Sequence, residues 1–199
     1  MKFTYNTAMD LLIHINKEFN VKASCEIGVQ RGVMSKRILQ AISSIEIHHL
    51  IDPWEHQTNT NYQDGANVIQ EEQEERLNIC KQNLEPWSSK TNYIRGYSSE
   101  VSDQIEDESL DFIYIDGRHD YVGLLQDLNL YLKKMKPGSI MAGHDYETAE
   151  TGHDEWKHCI DGTINMRGPK GAVDDFAEFI GISPYIQNRE CWRSWAIFL

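Results

Sequence analysis

The 199-residue chain contains no apolar run approaching the ~20 residues a membrane-spanning helix requires, so a helical membrane protein is not expected. Its start, Met1-Lys2-Phe3-Thr4, lacks the basic segment and apolar run of a secretory signal, and a soluble, cytoplasmic location is expected. There is no C-x-x-C pair. Cys25, Cys80, Cys159 and Cys191 are widely spaced, which argues against a zinc knuckle or redox dithiol and for reduced, structural thiols. Positive charge is also short: 19 Lys and Arg against 31 Asp and Glu leave a net charge of -12, with the basic residues scattered. That balance repels a phosphate backbone and excludes a nucleic-acid binder, leaving a small or neutral partner. No internal repeat and no low-complexity tract is present.

What is present suits one globular domain spanning residues 1–199, with 40% apolar and 10% aromatic residues. Thr7 caps a first helix whose Ala8, Leu12, Ile15 and Phe19 share a face. Residues 23–29 read as a strand ending in a turn, and residues 33–42 as a helix with Met34, Ile38, Ala41 and Ile42 inward. Residues 45–52 form a second strand ending in Asp52 before Pro53. A polar loop holding His56 and Tyr62 precedes an acidic helix that runs to about Leu84, its charge a solvated face. Residues 92–96 are a third strand, followed by a short helix over residues 100–105 capped by Ser98. The clearest strand is Leu110-Asp111-Phe112-Ile113-Tyr114-Ile115-Asp116, and Gly117 turns the chain after it. A helix carrying Tyr121, Leu124, Leu125, Leu128, Leu132 and Met135 stops before Pro137-Gly138, and residues 139–143 form a fifth strand. Residues 147–170 read as an acceptor-binding insertion or lid. A helix with Val173, Phe176, Ala177 and Ile180 inward follows, then a hairpin turning at Asn188-Arg189-Glu190. Such alternation implies right-handed βαβ crossovers and an α/β fold.

Ligands of open α/β sheets bind beyond the carboxyl ends of the strands, and the distinctive residues gather there. Glu26, Gly28 and Gly32 follow the first strand, Asp52 ends the second, Gly96-Tyr97-Ser98 the third, Asp116-Gly117 the fourth and Gly143-His144-Asp145 the fifth. Gly28-x-x-x-Gly32 alone is ambiguous. Asp52, 24 positions after Gly28, is placed to bridge both hydroxyls of a ribose, or is a turn acid before Pro53. The third glycine of the dinucleotide pattern G-x-G-x-x-G is absent and position 30 is Gln, so a pyrophosphate cradle is missing. Glu26 supplies negative charge suited to a cationic amino group and sulfonium.

Glu26 to Gly32, Asp52, the strand ending in Asp116-Gly117, Lys136-Pro137-Gly138 and Ala142-Gly143-His144-Asp145-Tyr146 together resemble class I S-adenosylmethionine-dependent methyltransferases. The pattern D-G-x-H-x-Y with G-H-D-Y is similar to a branch acting on the hydroxyls of small molecules and glycans. The resemblance covers roughly residues 23–146. It implies a Rossmann-like, mostly parallel seven-stranded sheet in the order 3-2-1-4-5-7-6 with helices on both faces. It further implies that Glu26 and Gly28 meet the methionine part, Asp52 the ribose, and Tyr97 and Ser98 the adenine side of S-adenosylmethionine, with S-adenosylhomocysteine as product. Arg118 departs from the family, which often has an acid there.

Asp116, His119, His144 and Asp145 form a second constellation. Some related O-methyltransferases hold a divalent cation at the ends of these strands, which makes Asp116, His144 and Asp145 candidate ligands for Mg²⁺ or, given the imidazole, Mn²⁺. His119 is alternatively the general base for an acceptor hydroxyl, while helix capping by His119 and backbone bonding by His144 are the structural alternatives. His153, Trp156 and His158 are secondary candidates for holding an acceptor. The three His-Asp dipeptides at 119, 144 and 153 do not suit a helical phosphohydrolase, because two follow strands. The expectation is O-methylation of a sugar or glycan, with a phenol or polyketide acceptor, an idle nucleoside- or glycan-binding module, or a nicotinamide oxidoreductase as alternatives. A homo-oligomer or a glycan-processing assembly are the expected partners.

Overall fold

The computed structural model describes residues 7–58, 64–187 and 192–199. The expectations for residues 1–4, Tyr62, the turn at Asn188-Arg189-Glu190 and Cys191 fall outside them. Strands β1 (Ala23–Ile27), β2 (Ile47–Asp52), β3 (Thr91–Arg95), β4 (Leu110–Ile115), β5 (Met135–Gly143), β6 (Tyr185–Ile186) and β7 (Trp195–Phe198) form one sheet in the order β3-β2-β1-β4-β5-β7-β6. Strands β1 to β5 pair in parallel and β7 runs antiparallel to β5 and β6, as the resemblance implied.

The six helices described are α1 (Ala8–Glu18), α2 (Val33–Ala41), α3 (Gln70–Leu84), α4 (Ser98–Val101), α5 (Tyr121–Leu132) and α6 (Gly168–Ile180). Helices cover both faces of a parallel sheet, so its strands are apolar on both sides and alternate between two cores. Along β4, Phe112 and Tyr114 join Leu12, Ile38 and Leu50 on one face, while Ile113 and Ile115 join Leu128, Tyr131 and Phe176 on the other. Thr7 and Asp10 form a reciprocal capping box at α1, a device that contributes about 1 kcal/mol. Among the described residues no helix is long and apolar enough to cross a membrane.

Two local expectations need correction. Helix α5 ends at Leu132, and Met135 instead opens β5 by pairing with Leu110. Periodicity carried the helix too far because Met135 is buried in either geometry. The register then jumps so that Phe112 faces Ile140, and Gly138, with φ of 78°, sits in the bulge. Ser98 is not a cap: α4 has Tyr97 at its N-cap without a side-chain bond, and the Ser98 hydroxyl donates instead to Asp127 at 2.5 Å. Beneath the acidic surface of α3, Gln73 and Arg76 are buried and both bond the Ala66 carbonyl.

Candidate active site

The strand order reverses between β1 and β4, and a cleft of about 790 Å³ opens there, a volume typical of small-ligand sites. Glu26, Gly28, Asp52, Tyr97, Ser98, Asp116, His119 and His144 line it. Gly32 and Asp145, also expected at the site, are not among its lining residues, although Asp145 contacts His119 and His144, which are.

Gly28 adopts φ of 84°, and its N–H bonds the Ile51 carbonyl at 2.9 Å. Gly32 adopts φ of 69° at the start of α2, where a Cβ would stand 2.7 Å from Cys80 Sγ. The two glycines thus answer to contacts inside the protein as well as to any ligand.

Asp52 is buried, and its Oδ2 accepts the N–H groups of Val29 and Gln30 at 2.9 Å each while Oδ1 accepts that of Trp54 at 2.7 Å. Gln30 and Trp54 both have positive φ without being glycine. One carboxylate therefore holds two strained turns in place. Burial pushes its pKa up, opposed by those backbone donors. An ionised carboxylate has about four acceptor sites, so roughly one remains for a further hydroxyl, and Glu55 lines the same cleft.

Glu26 is 1% exposed and accepts the Ser35 hydroxyl. Burial raises its pKa well above the usual carboxylate range, the Ser35 bond opposes this, and the nearby Asp116 and Asp52 carboxylates add to it. A cation entering the cleft would be the natural counterweight.

At the β4 and β5 ends, His119 Nδ1 lies 2.8 Å from Asp64 Oδ2, and Nε2 lies 3.3 Å from Asp116 Oδ1 and 3.0 Å from Asp145 Oδ2. Burial opposes charge on this imidazole, but hydrogen bonds to Asp116, Asp145 and Asp64 outweigh it and hold the pKa well above 6.5. Asp145, at φ of 56°, also meets His144 Nδ1 at 2.9 Å. Although Asp145 is buried, the two histidines keep it below the usual carboxylate range. The structural alternative for His119 is excluded, because Asp120 caps α5 through Gly123 N–H at 2.9 Å. Asp116, His144 and Asp145 each present a ligand atom within 4.8 Å of the others, and this donor set of two carboxylates and one imidazole fits a divalent ion.

The segment 147–170 is tied down rather than loose. Ala149 N–H meets the Met166 carbonyl at 3.0 Å, and Ile160 N–H meets Asp120 Oδ1 at 3.2 Å. It brings Trp156 into a stack on His119, with ring centres 5.1 Å apart. His153 stacks on Trp192, also at 5.1 Å, and Trp192 lines the cleft. His158 pairs with Ile164 in an isolated bridge, and it does not line the cleft.

Sequence reasoning missed Asp64, Asp127, Ser35, His48 and Trp192. For Asp127 a signal existed: it falls between Leu124, Leu128 and Tyr131 on the inward face of α5. Asp64 and Trp192 sit in segments without periodicity.

The pattern of a family described as "Methyltransferase domain" matches residues 25–146. The fold is similar to that of an O-methyltransferase of Bacillus cereus solved with S-adenosylhomocysteine, at 16% identity and a TM-score of 0.62 over 100% of this chain and 83% of that one. It is also similar to a methyltransferase of Podospora anserina bound to S-adenosylhomocysteine, at 11% identity and a TM-score of 0.62 over 99% of this chain and 80% of that one. A stretch of 65 residues is 35% identical to an uncharacterised protein of Sinorhizobium fredii, covering 33% of this chain and 7% of that protein's length. With that family pattern running from within β1 to the end of β5 and taking in most of the residues that line the cleft, the chain belongs to the methyltransferase domain family, in the Rossmann-like fold of S-adenosylmethionine-dependent methyltransferases.

Proposed function

We propose that the chain, acting as one domain, transfers the methyl group of S-adenosylmethionine to a hydroxyl oxygen of a small molecule, most simply a sugar. The observation that carries this reading is the meeting of Glu26, Asp52 and Asp116 at one cleft with His119 and its carboxylates. Glu26 faces the cationic methionine part, Asp52 takes a ribose hydroxyl, and Tyr97 and Ser98 flank the adenine. The acceptor oxygen attacks the methyl carbon in line as the carbon–sulfur bond breaks, leaving the neutral thioether S-adenosylhomocysteine. Alignment of the two reactants is worth up to ~7–11 kcal/mol of barrier.

The hydroxyl proton passes to His119 in its neutral form. The carboxylates that surround this ring raise its pKa, so the neutral fraction and the rate both grow as the pH rises. Asp116, His144 and Asp145 would hold a divalent ion, with Mn²⁺ favoured over Mg²⁺ by the imidazole donor, and such an ion would polarise the acceptor oxygen.

The acceptor class rests on the aromatic wall. Trp192 lines the cleft beside His153 and Trp156, an arrangement suited to the apolar face of a sugar ring. The same wall suits a phenol, so the test is a screen of sugar and phenol acceptors with labelled S-adenosylmethionine, with and without chelator. Labelled sugar ether is the expected product. Label on phenols alone overturns the sugar assignment, and bound cofactor without transfer to any acceptor points to an idle binding module.

A further inference from the structure

Behind the cleft, four polar side chains run in a line through an otherwise apolar core. Ser24 on β1 and His48 on β2 are register partners in the parallel ladder, with Ser24 Oγ 2.8 Å from His48 Nδ1. The other ring nitrogen, Nε2, lies 3.0 Å from the hydroxyl of Ser35 on α2, and that hydroxyl donates to Glu26 Oε2. Ser24, His48 and Ser35 are fully buried, and Glu26, the one member that lines the cleft, is 1% exposed.

The donors in this line can be counted. An ionised Glu26 only accepts, so Ser35 gives it its single hydrogen and must receive one at its oxygen from His48 Nε2–H. A neutral imidazole has one N–H, so Nδ1 is then an acceptor for the Ser24 hydroxyl. Every bond points the same way, toward the cleft. Burial keeps His48 neutral by pushing its pKa down to about 3, the neighbouring His49 adding to the effect. Facing Glu26, the Asp52 and Asp116 carboxylates repel its charge. The donor chain therefore works against two like charges in favour of the ionised form.

We propose that Ser24, His48 and Ser35 are positioning residues that lock the Glu26 carboxylate toward the amino-acid end of the cofactor through a one-directional hydrogen-bond chain. Buried polar groups in this core would otherwise be a net cost, since apolar side chains would fill the same space without desolvation. The proposal rests on the reading of the cleft as an S-adenosylmethionine site.

The test compares two ligands by calorimetry: S-adenosylhomocysteine, and 5′-methylthioadenosine, which keeps the nucleoside and thioether but lacks the amino-acid part. In Ser35→Ala, affinity for the first should fall about ten- to hundredfold, the range for a hydrogen bond to a charged group, while affinity for the second stays within about twofold. Equal loss of both ligands, or loss of neither, overturns the proposal. Because Ser35→Ala removes a buried group and the variant can fail to fold, nitrogen NMR of His48 in the wild-type complex gives a second readout. A neutral ring protonated at Nε2 is expected, and a charged ring or an Nδ1–H form overturns the chain's direction. Wild-type protein that binds neither ligand overturns the cofactor reading and the proposal with it, whereas the outcomes above with wild-type binding intact overturn the positioning chain alone.

Discussion

A methyl group added to Gly28 would stand 1.9 Å from the carbonyl oxygen of Asp116, far inside any non-bonded carbon–oxygen contact. The turn after β1 is thus pressed against the end of β4 where the two halves of the sheet meet. Gly28→Ala is predicted to destabilise the fold by about 3 kcal/mol or more, combining a clash with backbone and a positive φ. Gly138→Ala is the control: φ is 78° there too, but nothing lies within 4 Å of the added carbon, and the expected cost is about 1 kcal/mol. Denaturant unfolding of both variants measures the difference.

Asp52→Ala removes the acceptor for three backbone N–H groups and releases two turns that hold positive φ. Both stability and S-adenosylhomocysteine affinity should fall, the latter by about tenfold or more, since each bond to a charged group is worth roughly 1.5–3 kcal/mol. Wild-type affinity in calorimetry would refute the ribose role.

His119→Ala should slow methyl transfer by about 10²–10⁴-fold while leaving cofactor affinity in place. Turnover at the wild-type rate would remove His119 from the chemistry. In metal-free protein, where Asp116, Asp145 and Asp64 all face the ring and favour its charged form, any residual wild-type rate should also climb with pH beyond 6.5.

Titration with Mn²⁺ should show one binding event that is lost in Asp116→Asn and in Asp145→Asn, and chelator should slow the reaction. Full activity in chelator would confine these residues to holding His119.

Asp127 supplies a stability signature. Burial raises its carboxyl to about 7, against the Ser98 hydrogen bond that lowers it. The folded pKa lies above the unfolded one, so the stabilisation is complete below about pH 4 and is lost as the pH rises through about 7. Asp127→Asn, neutral throughout, should gain in Tm over wild type as scans move from about pH 5 to about pH 8, by roughly 2–4 °C per kcal/mol relieved. A difference that does not change with pH would show that the wild-type carboxyl is ionised throughout.

The strands and helices were legible in the chain because burial of one face leaves a period, 2 or 3.6, in the order of residues. The fourth strand, read as ending at Asp116 and observed to end at Ile115, and the inward face of Val173, Phe176 and Ala177 follow from that, while Thr7 was readable as a cap from its side-chain oxygen. The period failed at Met135, where an apolar residue suits both a helix and the bulged start of β5. It also gave Ser98 a capping role by position, whereas Ser98 lies inside the helix and its hydroxyl donates to a carboxylate 29 residues away.

The candidate site divides in the same way. Glycines and acids at strand ends are readable because a parallel sheet delivers every strand end to one edge, so Glu26, Gly28, Asp52, Asp116 and His119 could be named from the sequence alone. Only the tertiary structure decided which groups meet. Asp64 reaches His119 across 55 positions, Trp156 stacks on that same ring, and Ser24, His48 and Ser35 line up behind Glu26. The physical reason is that periodicity reports which face a residue occupies, whereas hydrogen-bond partners depend on the direction of side chains between elements brought together by packing.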